Sequence, residues 1–152
     1  MAISKRKPKL EGYEITMEAT HHGPTSLQKP VLFVELGSSE KYWGDSKAAG
    51  VVGEALVESL TEKRIWSKVA IGFGGNHYPE KFTRLVIEED YALSFAAPKY
   101  ALEFVDEEMF GQMLRRTNAP VRYAILDWNG LGQHKEKITS LVAQFGLEAV
   151  RV

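Results

Sequence analysis

The 152-residue sequence contains no cysteine, which removes disulfide bonds, thiolate zinc sites and cysteine nucleophiles together. Any metal site must therefore use histidine, aspartate or glutamate, and we expect a reducing, cytoplasmic location. Neither sign of charge dominates, because 19 basic and 20 acidic residues give a net charge of -1, so only a local patch could bind nucleic acid. No apolar run approaches the ~20 residues of a membrane span, so we expect no membrane association.

The remaining composition is typical of one folded domain. The hydrophobic fraction is 44% and the charged fraction 26%, and the length is enough for a buried core. Residues 1–12 are basic and lack the apolar stretch of a signal peptide. We interpret them as a solvated tail, with a phosphate-binding arm as the alternative, and residues 13–152 as a single α/β domain.

Hydrophobic patterning predicts alternating strands and helices. Apolar runs predict strands at 13–18, 31–36, 69–72, 121–126 and 147–152, the last at a sheet edge. Residues 91–97 form either a strand or a loop. Amphipathic spacing and capping residues predict helices at 45–61, 79–88, 107–116 and 135–145, with a short helix after Pro98. This alternation predicts an α/β sheet with helices on both faces.

Two glycine-bounded turns hold three of the four histidines, and each follows a predicted strand. The first contains His21 and His22, which point opposite ways if extended, so one would face a cleft and the other support it. The second contains Gly74, Gly75 and His77. Its glycine N–H groups suit a phosphate or an oxyanion, and its histidine suits a metal, a water or general-base chemistry. The alternative for both is an ordinary turn.

Other candidates lie near the second predicted strand. Glu35 interrupts an apolar run, which makes it either functional or the partner of a lysine. Ser38 and Ser39 suit phosphate binding or a nucleophile, although no Gly-x-Ser-x-Gly elbow surrounds them. Trp43, beside Tyr42, suits stacking on a base or ribose, with simple packing as the alternative.

The order and spacing of these motifs resemble the archaeal and plant type of D-aminoacyl-tRNA deacylase. The resemblance covers roughly the C-terminal portion of that family and runs from about residue 13 onwards. It is carried by Glu18-Ala19-Thr20-His21-His22-Gly23-Pro24-Thr25, Phe33-Val34-Glu35-Leu36-Gly37-Ser38-Ser39-Glu40 with Trp43, Gly72-Phe73-Gly74-Gly75-Asn76-His77-Tyr78, Pro98-Lys99-Tyr100 and Leu126-Asp127-Trp128-Asn129-Gly130.

The resemblance implies a hydrolase that releases a free D-amino acid from tRNA. It implies a three-layer αβα fold with a mixed, mostly parallel sheet, similar to phosphorylase and peptidyl-tRNA hydrolase folds. It further implies zinc as cofactor, the aminoacylated 3′ end of tRNA as partner and His21, His22, His77 and Glu35 as metal ligands. His77, His22 and Glu35 become the expected catalytic residues. The expected substrate-binding residues are Gly74, Gly75, Ser38, Ser39, Trp43, Tyr78 and Lys99.

Two departures from the family keep other functions open. The family proteins are longer, so an uncovered sheet edge is expected to favour a homodimer. The family usually carries a histidine where this chain has Phe95, which can neither ligate a metal nor carry a proton. The alternatives are a non-catalytic module that binds tRNA or nucleotides, and a hydrolase of another small ester or amide.

Overall fold

The computed structural model describes residues 3–20, 23, 27, 29, 31–62 and 65–152. The chain divides into two compact units. The first unit comprises Met1–Ile15 and Gly23–Ile65, and the second comprises Thr16–His22 and Trp66–Val152. The predicted ligands His21 and His22 lie outside the described residues.

The first unit is built around one long helix. Helix α1 spans Glu40–Trp43 and helix α2 spans Ser46–Thr61, as the capping pattern predicted for α2. Asp45 caps α2 by accepting a hydrogen bond from the N–H of Ala48 at 2.9 Å, and the hydroxyl of Tyr13 donates to the same carboxylate at 3.0 Å. The backbone hydrogen bond first, and the Tyr13 hydroxyl second, lower the pKa of Asp45.

The basic N-terminal segment forms ion pairs with α2, and Lys5, Lys7 and Lys9 remain exposed. Ser4–Lys9 form a 3₁₀ helix. The guanidinium of Arg6 forms an ion pair with Glu58, and the ammonium of Lys5 lies 3.5 Å from the same carboxylate. The Arg6 hydrogen bond lowers the pKa of Glu58. Whether the chain divides at residue 12 into a tail and one domain stays a prediction.

The strands predicted at 13–18 and 31–36 are wrong. Neither segment has strand structure, and Leu32 is 83% exposed. Hydrophobicity indicates burial, but a strand also needs a neighbour to accept its main-chain hydrogen bonds. Neither segment pairs with a strand within the described ranges.

The second unit contains a four-stranded parallel sheet in the order β2-β1-β3-β4. The strands are Lys68–Phe73, Tyr91–Ala97, Tyr123–Leu126 and Glu148–Arg151, numbered β1 to β4. The helices are Glu80–Glu88, Glu107–Arg115 and Lys135–Gln144, numbered α3 to α5, with 3₁₀ helices at Lys99–Phe104 and Gly132–His134. The prediction of these elements is confirmed, and residues 91–97 are a strand. Every described pairing is parallel, so the sheet is not mixed over these residues.

Strand alternation creates three layers. Ile71 and Leu126 point to one face, where they pack with Phe110 of α4 and Ile138 of α5. The intervening residues point to the opposite face and pack with α3, a cluster that includes Ala70, Ile125, Phe82 and Leu85. The expected αβα arrangement is therefore confirmed. None of the described helices combines the length and apolarity needed to cross a membrane.

Candidate active site

The carboxyl ends of all four strands lie at the same edge of the sheet. The chain passes from β1 to β2 on one side and then returns to β3 on the other side. Such a reversal opens a crevice at the carboxyl edge, which is where open α/β sheets bind ligands. The turn that carries Gly74, Gly75 and His77 follows β1, so the structure places it at this reversal point.

Two glycines bring the loops after β1 and β3 into direct contact. A Cβ atom on Gly130 would lie 1.7 Å from the carbonyl oxygen of Gly74. Gly74 itself has φ +96, and its N–H donates to the carbonyl of Ala97 at 2.9 Å. In this structure the N–H is engaged by Ala97 and closes the loop, and the substrate-binding role of Gly74 stays a prediction.

Gly75 retains the features expected of an anion donor. It is buried, and a Cβ at this position would lie 2.8 Å from Cβ of Pro79. Its carbonyl accepts from the N–H of Lys99 at 2.9 Å, which fixes the peptide plane that follows it. Its own N–H has no acceptor within the part of the chain that the structure describes.

His77 forms the central polar pair of this edge. Its Nε2 lies 2.7 Å from Oε1 of Glu18. A carboxylate only accepts hydrogen bonds, so Nε2 carries the proton and Nδ1 of the neutral ring is the acceptor. The hydroxyl of Tyr100 lies 3.5 Å from Nδ1, and the ring of Tyr78 packs edge-on against the imidazole with centroids 4.8 Å apart. The side chains of His77 and Glu18 are 36% and 29% exposed, so solvent reaches both.

Main-chain hydrogen bonds on both sides of Glu18 hold it in position. The N–H of Met17 donates to the hydroxyl of the buried Thr83 at 3.0 Å, and the N–H of Ala19 donates to the carbonyl of His77 at 2.8 Å. Glu18 and Tyr100 lie in the motifs that carry the family resemblance, but neither was among the expected site residues. The available signals were the position of Glu18 before the first histidine turn and the Pro98-Lys99-Tyr100 motif.

A shallow hollow of about 130 Å³ adjoins this turn. It is lined by Gly75, Asn76, Tyr78, Pro79, Glu80, Lys81, Phe82 and Asp127. The ammonium of Lys81 donates to Oδ1 of Asp127 at 2.7 Å and to the carbonyl of Val152 at 3.1 Å. This bridge joins the start of α3 to the loop after β3, and it gives the hollow a charged wall.

The other predicted site residues are distributed between the two units. Tyr78 and Lys99 lie at the carboxyl edge of the sheet and are exposed. Glu35, Ser38, Ser39 and Trp43 belong to the first unit, so their proximity to His77 stays a prediction. Glu35 is exposed, which corrects the premise that a strand buries it. Phe95 is paired with Ile71 and packs in the core cluster that faces α4 and α5.

The described residues do not form a zinc centre by themselves. They contain no group of three or more histidine, cysteine, aspartate and glutamate side chains that could share a metal ion. Of the four predicted ligands, His77 and Glu35 are described but lie in different units. His21 and His22 lie outside the described residues, so the predicted zinc site is untested.

Comparison with known proteins matches almost the whole chain. The D-aminoacyl-tRNA deacylase family model covers residues 1–150. The D-aminoacyl-tRNA deacylase of Cenarchaeum symbiosum is 43% identical over 97% of this chain and 57% of its own length. That of Pyrococcus furiosus is 38% identical over 92% of this chain and 52% of its own length.

A solved structure agrees with the fold. The crystal structure of a conserved protein of unknown function is 30% identical and has a TM-score of 0.89, covering 99% of this chain and 53% of that one. The chain thus spans about half the length of the relatives it matches, and the expectation that this is their C-terminal half stays a prediction. Sequence and fold agree over nearly all residues, and the chain belongs to the D-aminoacyl-tRNA deacylase family.

Proposed function

We propose that this chain hydrolyses the ester bond of D-aminoacyl-tRNA and releases a free D-amino acid and tRNA. The observation that carries the proposal is the Glu18–His77 pair, 2.7 Å apart, beside Gly75 at the ligand-binding edge of the sheet. A histidine held by a carboxylate and placed near an open N–H has the composition of a hydrolytic site. Family membership adds the substrate class, since the relatives are D-aminoacyl-tRNA deacylases.

The Glu18–His77 hydrogen bond determines which ring nitrogen of His77 can accept a proton in the proposed reaction. Nε2–H of His77 donates to Glu18, so Nδ1 takes a proton from water as the water oxygen attacks the ester carbonyl. Glu18 stabilises the resulting imidazolium. Nδ1–H then returns the proton to the departing 3′ oxygen of tRNA, and the carboxyl product forms without a covalent enzyme intermediate.

Gly75 supplies the second element of the proposed chemistry. A backbone N–H costs no reorganisation when the carbonyl oxygen gains negative charge, so it stabilises the tetrahedral intermediate. Gly75 lines the hollow that adjoins the His77 turn, and its N–H has no acceptor among the described residues. The contact between Gly75 and Pro79 restricts position 75 to glycine and holds the donor in place.

The direct test is deacylation of D-tyrosyl-tRNA beside L-tyrosyl-tRNA by the 152-residue chain. We expect turnover of the D ester only. The matched control is His134→Ala, since His134 is also half-buried but its ring is not paired with a carboxylate among the described residues, so this variant should keep wild-type turnover. Loss of activity in the control, or equal hydrolysis of both esters, would contradict the proposal.

The chain matches only about half of the length of its relatives, which supports a rival function in which it binds tRNA or a nucleotide without turnover. A second rival is a hydrolase of another small ester or amide. The same assay separates them: tRNA binding without hydrolysis identifies the module, and hydrolysis of a simple ester without tRNA binding identifies the other hydrolase.

Zinc remains a separate proposal, with His21, His22, His77 and Glu35 as ligands, in which His77 would bind the metal instead of acting as the general base. Histidine and carboxylate donors suit zinc, which when bound would lower the pKa of a coordinated water. Elemental analysis of the purified protein tests it, with His22→Ala expected to lose the metal. No zinc in the wild type, together with full activity after chelation, would exclude it.

Self-association and a cytoplasmic location also stay proposals. Large apolar side chains are exposed in the first unit, including Leu32 at 83%, Leu60 at 86% and Ile65 at 97%. Sedimentation over a wide concentration range tests the homodimer, and a monomer at the highest concentration would contradict it. The cytoplasm is where the tRNA substrate is found.

A further inference from the structure

Two cationic side chains pack on one tryptophan at the carboxyl edge of the sheet. The guanidinium carbon of Arg151 lies 4.0 Å from the ring centroid of Trp128, and the ammonium of Lys135 lies 5.0 Å from it. Trp128 follows β3, Arg151 ends β4, and Lys135 begins α5. We name Trp128, Lys135 and Arg151 the Trp128 surface.

The cations of the Trp128 surface have no carboxylate partner in the described ranges. Neither Lys135 nor Arg151 forms an ion pair there, and the nearby Asp127 is already bonded to Lys81. Two like charges beside one ring repel each other, and their contacts with the ring leave both charges unneutralised. A polyanion that contacts both would remove this repulsion.

The surface lies on the same edge as the His77 turn. In the strand order β2-β1-β3-β4, the His77 turn follows β1, and Trp128 and Arg151 follow on the next two strands. Neighbouring strands are about 4.8 Å apart, so Arg151 lies roughly 10 Å along the edge from the end of β1. The exposed Lys99 follows β2 and also lacks an ion pair among the described residues. The turn is therefore flanked by unpaired cations on both sides.

We propose that the Trp128 surface contacts the sugar–phosphate backbone of the tRNA whose acylated 3′ end lies at His77. This inference rests on the proposed function for the identity of the polyanion. Arg151 and Lys135 neutralise phosphates, and the indole ring supplies a flat face beside the ribose or a base. Cations without a carboxylate partner and an indole face therefore lie at the edge where the substrate's backbone would leave the site.

The test is the salt dependence of binding of non-acylated tRNA. Each phosphate contact contributes about 0.7–0.9 to the slope of log K against log salt. We expect Arg151→Gln and Lys135→Gln each to reduce the magnitude of the slope by about the amount of one phosphate contact. Arg151→Lys keeps the positive charge, so it should keep the wild-type slope. The control is Arg122→Gln, which removes an exposed arginine at the opposite, amino end of β3 and should leave the slope unchanged.

A second substrate separates this inference from the proposed function. D-tyrosyl-adenosine carries the ester without the tRNA backbone, so Arg151→Gln should hydrolyse it at the wild-type rate. Equal salt slopes for wild type and Arg151→Gln, or no tRNA binding by the wild type, would overturn the Trp128 surface. Hydrolysis of neither ester by the wild type would overturn the proposed function. The salt slopes would still test separately whether the Trp128 surface binds the tRNA backbone.

Discussion

Residues 121–126 and 31–36 are two apolar runs of similar composition, but only the first contains a strand. Residues 121–126 end in β3, which is paired on both edges and covered on both faces, and its Leu126 is fully buried. Residues 31–36 lie in the first unit without strand structure, and their Leu32 is 83% exposed. The difference teaches that an apolar run becomes a strand only where neighbouring strands accept its main-chain hydrogen bonds.

The two units also differ in what stabilises them. The second unit has large aromatic and aliphatic clusters on both faces of its sheet, and within it the rings of Phe73 and Phe110 stack 5.4 Å apart. The buried cluster of the first unit comprises Leu10, Ala48 and Val51. Capping and ion pairs therefore contribute a larger share of its stability.

The largest expected effect is on hydrolytic activity, and it compares substitutions in the two units. Removing a general base usually costs ~10²–10⁴-fold, so His77→Ala should lower kcat/KM for D-tyrosyl-tRNA by about that factor. Ser38→Ala and Ser39→Ala, in the first unit, should each cost less than about tenfold because a water is the nucleophile. A loss in either serine variant that equals the loss in His77→Ala would move the chemistry to the first unit.

The next effect compares the same substitution in both runs. Leu126→Ala should lower the free energy of unfolding by about 2–5 kcal/mol, because it leaves a cavity in a fully buried position. Leu32→Ala should change it by less than about 0.5 kcal/mol, since that side chain is already in solvent. Urea denaturation measures both, and equal losses would show that Leu32 is buried in solution.

The sequence predicted the second unit well because its signals are local. Asp106 caps α4, Gly146 follows α5 with φ +69, and the apolar strands are bounded by glycine or proline. The Glu18–His77 pair could not be predicted from local signals, since 59 residues separate its members. The engagement of the Gly74 N–H by Ala97 likewise depends on how neighbouring strands pair.

Glycine substitutions should shift stability in opposite directions in the two units. Gly130→Ala places a methyl group against the main chain of Gly74, so it should cost about 1–3 kcal/mol and reduce activity with it. Gly50→Ala in α2 meets nothing within 4 Å and should stabilise the helix by about 0.5–1 kcal/mol. Thermal unfolding of both variants measures whether stability rises or falls. A Gly130→Ala variant with wild-type stability and activity would disprove the contact between the loops after β1 and β3.

The smallest effect is the acid sensitivity of the first unit. The folded pKa values of Asp45 and Glu58 are lowered, so their stabilisation is present above the unfolded values of about 4 and is lost as pH falls through the folded values. The protection factors of α2 amides, which correct for the intrinsic pH dependence of exchange, should therefore fall in that range. Glu58→Gln removes the carboxylate of the Arg6–Glu58 pair, so in this variant α2 should be less protected at neutral pH and should lose less protection on acidification. A pH profile equal to that of the wild type would show that the pair contributes nothing.

The two members of the central pair are anchored unequally, which sets how the site can open. His77 lies in the turn after β1, a strand with neighbours on both edges, and Gly74 and Gly75 of this turn are hydrogen-bonded to Ala97 and Lys99, so displacing it breaks several main-chain hydrogen bonds. Glu18 lies on a segment without regular secondary structure, attached to this unit through the N–H groups of Met17 and Ala19. Local opening on the Glu18 side costs less, so under the proposed function we expect a bulky acylated end to enter by displacement of Glu18 while His77 stays in place.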